Sequence, residues 1–176
     1  MPRIELDVNP VDFITTDAVG KPGERVFYLQ ATSRNNIYTL LVEKIQIQSL
    51  ASGLEEFFAD LAKNFPSLPP QADSFIEDQM HIHEPPEPLF RVGDMGIAYD
   101  EDADRVILMV REILSREQLP EDVSVIRFWC TRDQMSRLGL WSAELASRGR
   151  PICPLCGQPM DPEGHFCPKK NGHSHG

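Results

Sequence analysis

"VDFITTDAVGKPGERVFYLQATSRNNIYTLLVEK" spans residues 11–44 and carries the pattern from which the fold can be inferred. Short apolar or β-branched runs lie around Phe13, at residues 26–29 and at residues 38–42. Between them, GKPGE and SRNN contain the Gly, Pro and Asn residues that favour tight turns. This segment is therefore expected to form three antiparallel strands joined by hairpins.

The hydrophobic period then changes from two residues to about 3.6, which is the period of an α-helix. Most of the charged residues in this stretch lie outside the apolar stripe. The pattern predicts an amphipathic helix of about four turns. The apolar residues of its stripe are Ile47, Leu50, Ala51, Leu54, Phe57, Phe58 and Leu61.

The same order of elements returns in residues 90–149. FRVGDMGIAYDEDADRVILMVREI predicts two strands around an acidic turn, VSVIRFWC predicts a third strand, and TRDQMSRLGLWSAELASRG predicts a helix. Thr131 and Gln134 have the spacing of a capping box at the start of this helix. Arg148 and Gly149 supply a cationic last turn and a stop residue.

An internal repeat would explain this recurrence. ERVFYLQ, from Glu24, aligns with DRVILMV, from Asp104, at an offset of 80 residues, and the helix patterns from Gln48 and Gln134 align at an offset of 86. The hypothesis is an α+β fold in which two β-β-β-α units form one antiparallel sheet of about six strands, with both helices packed on one face.

The expected boundaries follow from composition. Residues 1–65 hold the first β-β-β-α unit, and residues 90–149 hold the second. Residues 66–89 are rich in Pro and acidic residues and are expected to be a surface linker. Residues 150–176 form a separate tail that contains three of the four cysteines.

Charge and hydropathy exclude several classes of function. The chain has 17 basic and 27 acidic side chains and a net charge of −10, which argues against broad binding to nucleic acid or anionic membranes. No apolar run reaches the roughly 18–20 residues that a membrane helix needs, and the first residues do not resemble a signal peptide. The expected location is the cytoplasm, where clustered cysteines are metal ligands more often than disulfides.

The tail contains the strongest chemical signal. Cys153 and Cys156, followed by a glycine, have the spacing at which two thiolates reach one metal ion. His165 and Cys167 supply two further ligands, since alternate residues of an extended segment point to the same side. These four side chains predict one tetrahedral zinc ion per chain, with no open position for water and therefore a structural role.

Other ligand assignments stay open at this point. His173 or His175 could replace His165, and Cys130 could join the site if the tail folds back on the last strand. Iron can occupy a similar thiolate-rich set, although zinc is favoured. The simplest alternative is that the tail cysteines are reduced thiols without a metal, and that Cys130 is a small buried apolar residue.

The tail also resembles a known family. Residues 149–172, GRPICPLCGQPMDPEGHFCPKKNG, resemble the C-terminal signature of a bacterial family called domain of unknown function 3090. That signature has the form C-P-x-C-G-x-P-x-D-P-x-G-H-x-C-P-x-x-N-G. Its histidine corresponds to His165, which favours this residue as ligand over His173 and His175. Weaker resemblance extends upstream to most of the chain, and it implies no particular biochemical activity.

Two further groups have partial metal-site character. His81, His83 and Glu84 alternate in MHIHEPPE, but such residues in a Pro-rich segment are more often solvated. Three aspartates in DEDAD, at residues 100, 102 and 104, have calcium-loop spacing. Arg105 and Arg111 stand where that loop requires Gly and Glu, so an acidic hairpin tip is the better interpretation.

The hypothesis favoured by these observations is a non-enzymatic interaction or adaptor protein with a zinc-ordered tail and an unidentified protein partner. The alternative is a single-strand nucleic-acid binding protein, with aromatic residues on an exposed sheet face stacking on bases. Trp129 and Trp141 could be ligand-stacking rings, but packing in the core or between helix and sheet is the better interpretation. An enzyme acting on a small molecule is a weaker hypothesis, since no nucleophile motif, P-loop or dinucleotide fingerprint is present. Its candidate residues would be His81, Glu84, Arg91 and Asp94.

Overall fold

The computed structural model describes residues 3–21 and 23–148, together with the backbone of two short strands in the tail. Two 3₁₀ turns, Glu77–Gln79 and Pro120–Asp122, lie in the connections. The helices are α1 (Lys44–Asn64) and α2 (Arg132–Ser147). The strands are β1 (Glu5–Val8), β2 (Phe13–Val19), β3 (Val26–Ser33), β4 (Asn36–Val42), β5 (Val92–Asp100), β6 (Arg105–Glu112), β7 (Val125–Cys130), β8 (His165–Phe166) and β9 (Ser174–His175).

The α+β class is confirmed. Strands β2, β3 and β4 form an antiparallel meander that leads into α1, and β5, β6 and β7 form a second meander that leads into α2. The predicted capping box at the start of α2 is present, because the Thr131 hydroxyl accepts from the Gln134 N–H while the Gln134 side chain accepts from the Thr131 N–H.

The sheet arrangement differs from the single six-stranded sheet that the sequence predicted. There are two main sheets, one of three strands in the order β2-β3-β4 and one of four strands in the order β1-β7-β6-β5. Among the described residues, a single parallel bridge between Leu41 and Arg91 joins them. Beyond this bridge, Gln46 at the start of α1 donates to the carbonyls of Val92 and Gly93. A helix side chain therefore binds the part of the β5 edge with which β4 would have to pair in a single continuous sheet.

The additional strand in the four-stranded sheet is β1. It pairs in parallel with β7, and Glu5 lies opposite Val125 in the register. The Ile4 carbonyl accepts from the Val125 N–H, and the Ser124 hydroxyl accepts from the Ile4 N–H, which fixes the start of the strand. Sequence reasoning missed β1 because it is short and its partner lies about 120 residues further along the chain.

Alternating residues of the four-stranded sheet face a common core. Val106, Leu108 and Val110 of β6 are fully buried, and their partners on β7 are Cys130, Phe128 and Ile126. The three-stranded sheet contributes Leu29 and Leu40, and both helices add buried residues to the same cluster. The two β-β-β-α units therefore share one hydrophobic core.

Each helix packs against the unit to which it does not belong in sequence. On α2, the Trp141 Nε1–H donates to the Thr16 carbonyl of β2 at 2.6 Å, and the Ser142 and Thr16 hydroxyls are 2.7 Å apart. The helix α1 lies beside β5 of the second unit. The helices meet where a Cβ atom added to Gly139 would lie 3.1 Å from the Leu54 Cβ.

The segment that was expected to be a surface linker is partly built into the fold. Met80 and Ile82 are buried, and residues 80–83 cross the face of the three-stranded sheet that points away from the helices. The sequence alone did not show this, because the alternating His and Ile residues stand within a Pro-rich stretch. Much of the rest of this segment is exposed, in agreement with its composition.

The order β-β-β-α occurs twice, but the proposed repeat alignment does not preserve which face is buried. An offset of 80 residues places the buried Leu29 opposite Met109. Met109 lies between the fully buried Leu108 and Val110 and therefore on the other face of β6. Duplication remains a hypothesis.

Within the described part of the chain, neither α1 nor α2 has the combination of length and apolar character that would let it cross a bilayer.

Shortening Leu54 to Ala tests the helix contact. Leu54 is 1% exposed, and the substitution leaves a cavity at the crossing of α1 and α2. The expected loss in the free energy of unfolding is about 2–5 kcal/mol, measured by chemical denaturation at constant m-value. Leu140→Ala is the control, because Leu140 is 39% exposed on α2 and its truncation should cost less than about 1 kcal/mol. Equal losses in both variants would contradict the assigned packing.

Candidate functional sites

The predicted zinc ligands lie in the tail. Cys153, Cys156 and Cys167 are outside the described residues. His165 is described by its backbone alone, in β8, where it pairs with His175 of β9 in antiparallel register. The zinc site therefore stays a prediction from the ligand pattern, and the backbone register brings two of the candidate histidine positions next to each other.

Cys130 is the fourth cysteine and belongs to the core. It is fully buried at the end of β7, where its thiol lies 3.7 Å from the Phe128 carbonyl. Burial raises the pKa of the Cys130 thiol to about 12, so it stays protonated at neutral pH. A metal ligand needs a thiolate, and this environment matches the simpler interpretation of Cys130 as a small apolar core residue.

A group of charged and aromatic side chains lies where α2 ends and the tail begins. We call it the junction cluster: it comprises Asp17, Glu77, His81, Trp141 and Arg148. Arg148 donates two hydrogen bonds of 2.8 Å to the Glu77 carboxylate, and its guanidinium lies 5.2 Å from the centre of the Trp141 ring. These hydrogen bonds hold the pKa of Glu77 below its usual value.

His81 completes the junction cluster. Its Nδ1 lies 3.1 Å from the Asp17 carboxylate, and its Nε2 lies 3.9 Å from the Glu77 carboxylate. The imidazole also meets the Trp141 ring edge to face at 5.7 Å. Asp17 is largely buried and also accepts from the backbone N–H of Ile82. The cluster therefore fastens residues 77–82 to β2 and to the end of α2.

The residues suggested for a small-molecule enzyme are not brought together. His81 faces Asp17, Arg91 pairs with Glu43, and Asp94 lies 3.8 Å from Arg111. His83 and Glu84 are exposed in the segment before β5. Over the described part of the chain, no three His, Cys, Asp or Glu side chains are placed to hold a metal ion together.

The acidic turn between β5 and β6 is held in place by hydrogen bonds to other parts of the protein. Asp104, at a φ of 49°, accepts from the Arg132 Nε at 2.9 Å and from the Tyr99 hydroxyl at 2.8 Å. The hydrogen bond from Arg132 is the main reason that the pKa of Asp104 is lowered. Arg132 also donates to the Pro69 carbonyl at 2.7 Å. Asp104 therefore connects the hairpin to α2, and Arg132 connects α2 to the segment after α1. The spacing of the aspartates did not indicate these contacts.

The two tryptophans are both engaged within the protein. Trp141 is 1% exposed, and the Trp129 Nε1–H donates to the Asp7 carboxylate at 3.0 Å on the outer face of the four-stranded sheet. Arg127, on the same face, lies within 3.6–3.8 Å of the Glu5 and Asp7 carboxylates. Carboxylates therefore accompany this cation, which reduces the positive character around Arg127 that nucleic-acid binding would require.

An open groove of about 460 Å³ lies between α1 and β5, and sequence reasoning did not identify it. Its apolar surface comes from residues of both elements, and its rim carries carboxylates. The α1 residues were recognised as a helical stripe, but nothing in the local pattern shows which strand they face. The apolar residues are Leu50, Phe57, Met95 and Ile97, and the carboxylates are Glu56, Asp60 and Asp94.

The fold and its sites define an α+β protein with a cysteine-rich tail and an acidic surface groove. Residues 6–167 match the family model described as Protein of unknown function (DUF3090), and the chain belongs to this family. Comparisons with curated proteins and with solved structures gave no match.

The pairing of Arg148 with Glu77 predicts an acid-dependent contribution to stability. Because the pKa of Glu77 is lowered in the folded state, the contribution is complete above its usual value of 4.5 and is lost as the pH falls through the lowered value. Replacing Arg148 by Met should raise the Glu77 midpoint in an NMR titration of the side-chain carboxyl carbon. Arg111→Met, which removes a cation paired with Asp94 and not with Glu77, should leave it unchanged. Identical midpoints in the wild type and the Arg148 variant would contradict the assigned pair.

Proposed function

We propose that this protein is a non-enzymatic interaction protein whose C-terminal tail is ordered by one structural zinc ion. The proposed ligands are Cys153, Cys156, His165 and Cys167. The observation that carries the proposal is their spacing, with two thiolates two residues apart before a glycine and a second His and Cys pair further along. A thiolate-rich tetrahedral set suits zinc, and four protein ligands leave no position for a catalytic water.

The part of the chain next to the tail supports a separate, metal-ordered tail attached to a stable folded body. Arg148, the last described residue of the folded body, is held by Glu77 and Glu144 and lies against Trp141. A metal-ordered tail would therefore extend from a fixed point on the folded body. The tail itself is short and rich in Pro and Gly, so metal coordination would supply stability that apolar burial does not.

We further propose that the tail presents this ordered surface to a protein partner in the cytoplasm, where thiols remain reduced. Three basic residues at 150, 169 and 170 stand against two acidic residues at 161 and 163, so the tail is slightly basic on an otherwise acidic chain. This charge is too small for strong polyanion binding, and it allows a contact with an acidic protein surface.

Elemental analysis of freshly purified, tag-free protein tests the zinc site. About one zinc ion per chain is expected, with loss in Cys156→Ser and weaker retention in His165→Ala. His173→Ala and His175→Ala are matched controls that should keep the metal. A chelator should change amide exchange after residue 149 while the near-ultraviolet spectrum of the tryptophans in the body is preserved. A metal-free wild type from a reducing preparation, or loss in His175→Ala with retention in His165→Ala, would contradict the ligand set.

The interaction role is tested with the same variants in affinity capture followed by mass spectrometry. Partners retained by the wild type and lost with both Cys156→Ser and chelation would support the proposal. The alternative is examined by fluorescence anisotropy with single-stranded oligonucleotides at low salt. Salt-sensitive oligonucleotide binding, together with partners that are indifferent to the metal, would replace the adaptor hypothesis with nucleic-acid binding.

A further inference from the structure

The groove between α1 and β5 borders an open sheet edge. The Glu112 N–H donates to the Ser124 carbonyl, toward β7. The Ile113 N–H donates to the Arg91 carbonyl, toward the start of β5. Backbone hydrogen bonds alternate in direction along an antiparallel strand, so Arg111, two residues earlier, also directs its backbone groups toward β5, where its partner is Asp94. By the same alternation, Met95 and Ile97 of β5 direct their N–H and C=O groups away from β6, toward the groove.

The beginning of this edge is closed, and its continuation is open. Gln46 donates to the Val92 and Gly93 carbonyls at 3.0 Å each, and β4 leaves the edge after its bridge to Arg91. Within the described part of the chain, no hydrogen bond reaches the outward backbone groups of Met95 or Ile97. An edge with unpaired backbone groups is a template for an added strand.

The floor of the groove is suited to apolar side chains. Leu50 and Phe57 of α1 face Met95 and Ile97 of β5 across it. Gly53 lies in the middle of this face of α1, and a Cβ atom added there would lie 3.6 Å from the Ile97 Cδ1. A side chain larger than a methyl group at residue 53 would therefore extend into the groove beside Ile97.

The rim of the groove is acidic. Glu56 and Asp60 are exposed one turn apart on α1, and Asp94 is exposed on β5. No Lys or Arg lines the groove among the described residues. The nearest cation to Asp94 is Arg111, at 3.8 Å, which belongs to β6 and not to the groove lining. The electrostatic complement of this rim is a segment that carries Lys or Arg.

We propose that the groove binds an extended basic segment of a partner protein, which adds a strand to β5. The backbone of the segment pairs with Met95 and Ile97, apolar side chains on one face of the added strand contact the floor, and its cations are attracted to the acidic rim of Glu56, Asp60 and Asp94. The inference extends the proposed interaction role to a second surface. It does not require the tail metal, because every contributing residue lies on the folded body.

The test uses the full-length, metal-loaded protein and a fluorescein-labelled peptide of alternating Lys and Val. Binding is followed by fluorescence anisotropy at two salt concentrations. The double variant Glu56→Lys/Asp60→Lys should weaken binding by at least about tenfold, since like charges would then meet at the rim. The double variant Glu55→Lys/Glu101→Lys changes the net charge equally at exposed positions outside the groove, and it should bind as the wild type does.

Two further probes separate strand addition from simple charge attraction. A peptide of the same sequence with N-methylated alternate amides should bind at least about tenfold more weakly, because it cannot pair with the edge of β5. Gly53→Leu should fill the groove and reduce binding similarly without changing the charge. Equal affinity for both peptides, or equal weakening by both charge-reversed double variants, would overturn the proposal.

Other occupants give distinct results. A wild-type dimer in sedimentation that dissociates in Glu56→Lys/Asp60→Lys would assign the groove to a second copy and overturn the partner. Tighter peptide binding in Arg150→Gln/Lys169→Gln/Lys170→Gln would assign it to the chain's own tail, with the same consequence. Cys156→Ser should bind the peptide as the wild type does, so failure of the zinc proposal and failure of the groove proposal remain distinguishable.

Discussion

The contact between Leu54 of α1 and Gly139 of α2 is the constraint on which the rest of the structure depends. It allows each helix to lie against strands of the other unit, with α2 on β2 and α1 beside β5. The two sheets are joined directly by one bridge between Leu41 and Arg91, so the interlocked helices and the shared core carry most of the connection. Because α1 is held at β5 by this arrangement, the same contact sets the width of the groove between them.

The second constraint is the polar row on the outer face of the three-stranded sheet. Thr15, Gln30 and Thr39 are buried there, where apolar residues would be the usual choice. Gln30 donates to the His83 carbonyl and accepts from the His83 N–H, and Thr15 donates to the Met80 carbonyl. A segment that crosses a sheet face cannot satisfy its backbone groups in a ladder, so these side chains supply the partners. No buried side-chain N or O atom in the described residues lacks a hydrogen bond, which shows that the row is fully used.

Local signals in the sequence were sufficient for the strands of the two meanders, both helices and the capping box at Thr131. Each of these depends on residues a few positions apart, and turn residues and periodicity report on that range. The parallel pairing of β1 with β7, the separation of the sheets by Gln46 and the burial of Met80 depend on residues far apart in the chain. Local patterning carries little information on such contacts, and β1 in particular is only four residues long.

The two candidate interaction surfaces, the tail and the groove, also differ in how far the sequence alone predicts them. A metal site can be predicted from a short stretch of sequence, because ligand type and spacing determine whether the side chains can bind one ion. Cys153 and Cys156 meet that condition in the sequence alone. The groove has no such signature in the sequence. Phe57 and Ile97 have the pattern of ordinary core residues, and only the tertiary structure shows that they lie beside the unpaired edge of β5. Its acidic rim would contribute mainly to the rate and orientation of association, while the backbone edge and apolar floor would determine how long a segment stays bound. An acidic chain of net charge −10 would attract a basic segment from a distance, and the geometry at β5 would then select those that can extend as a strand.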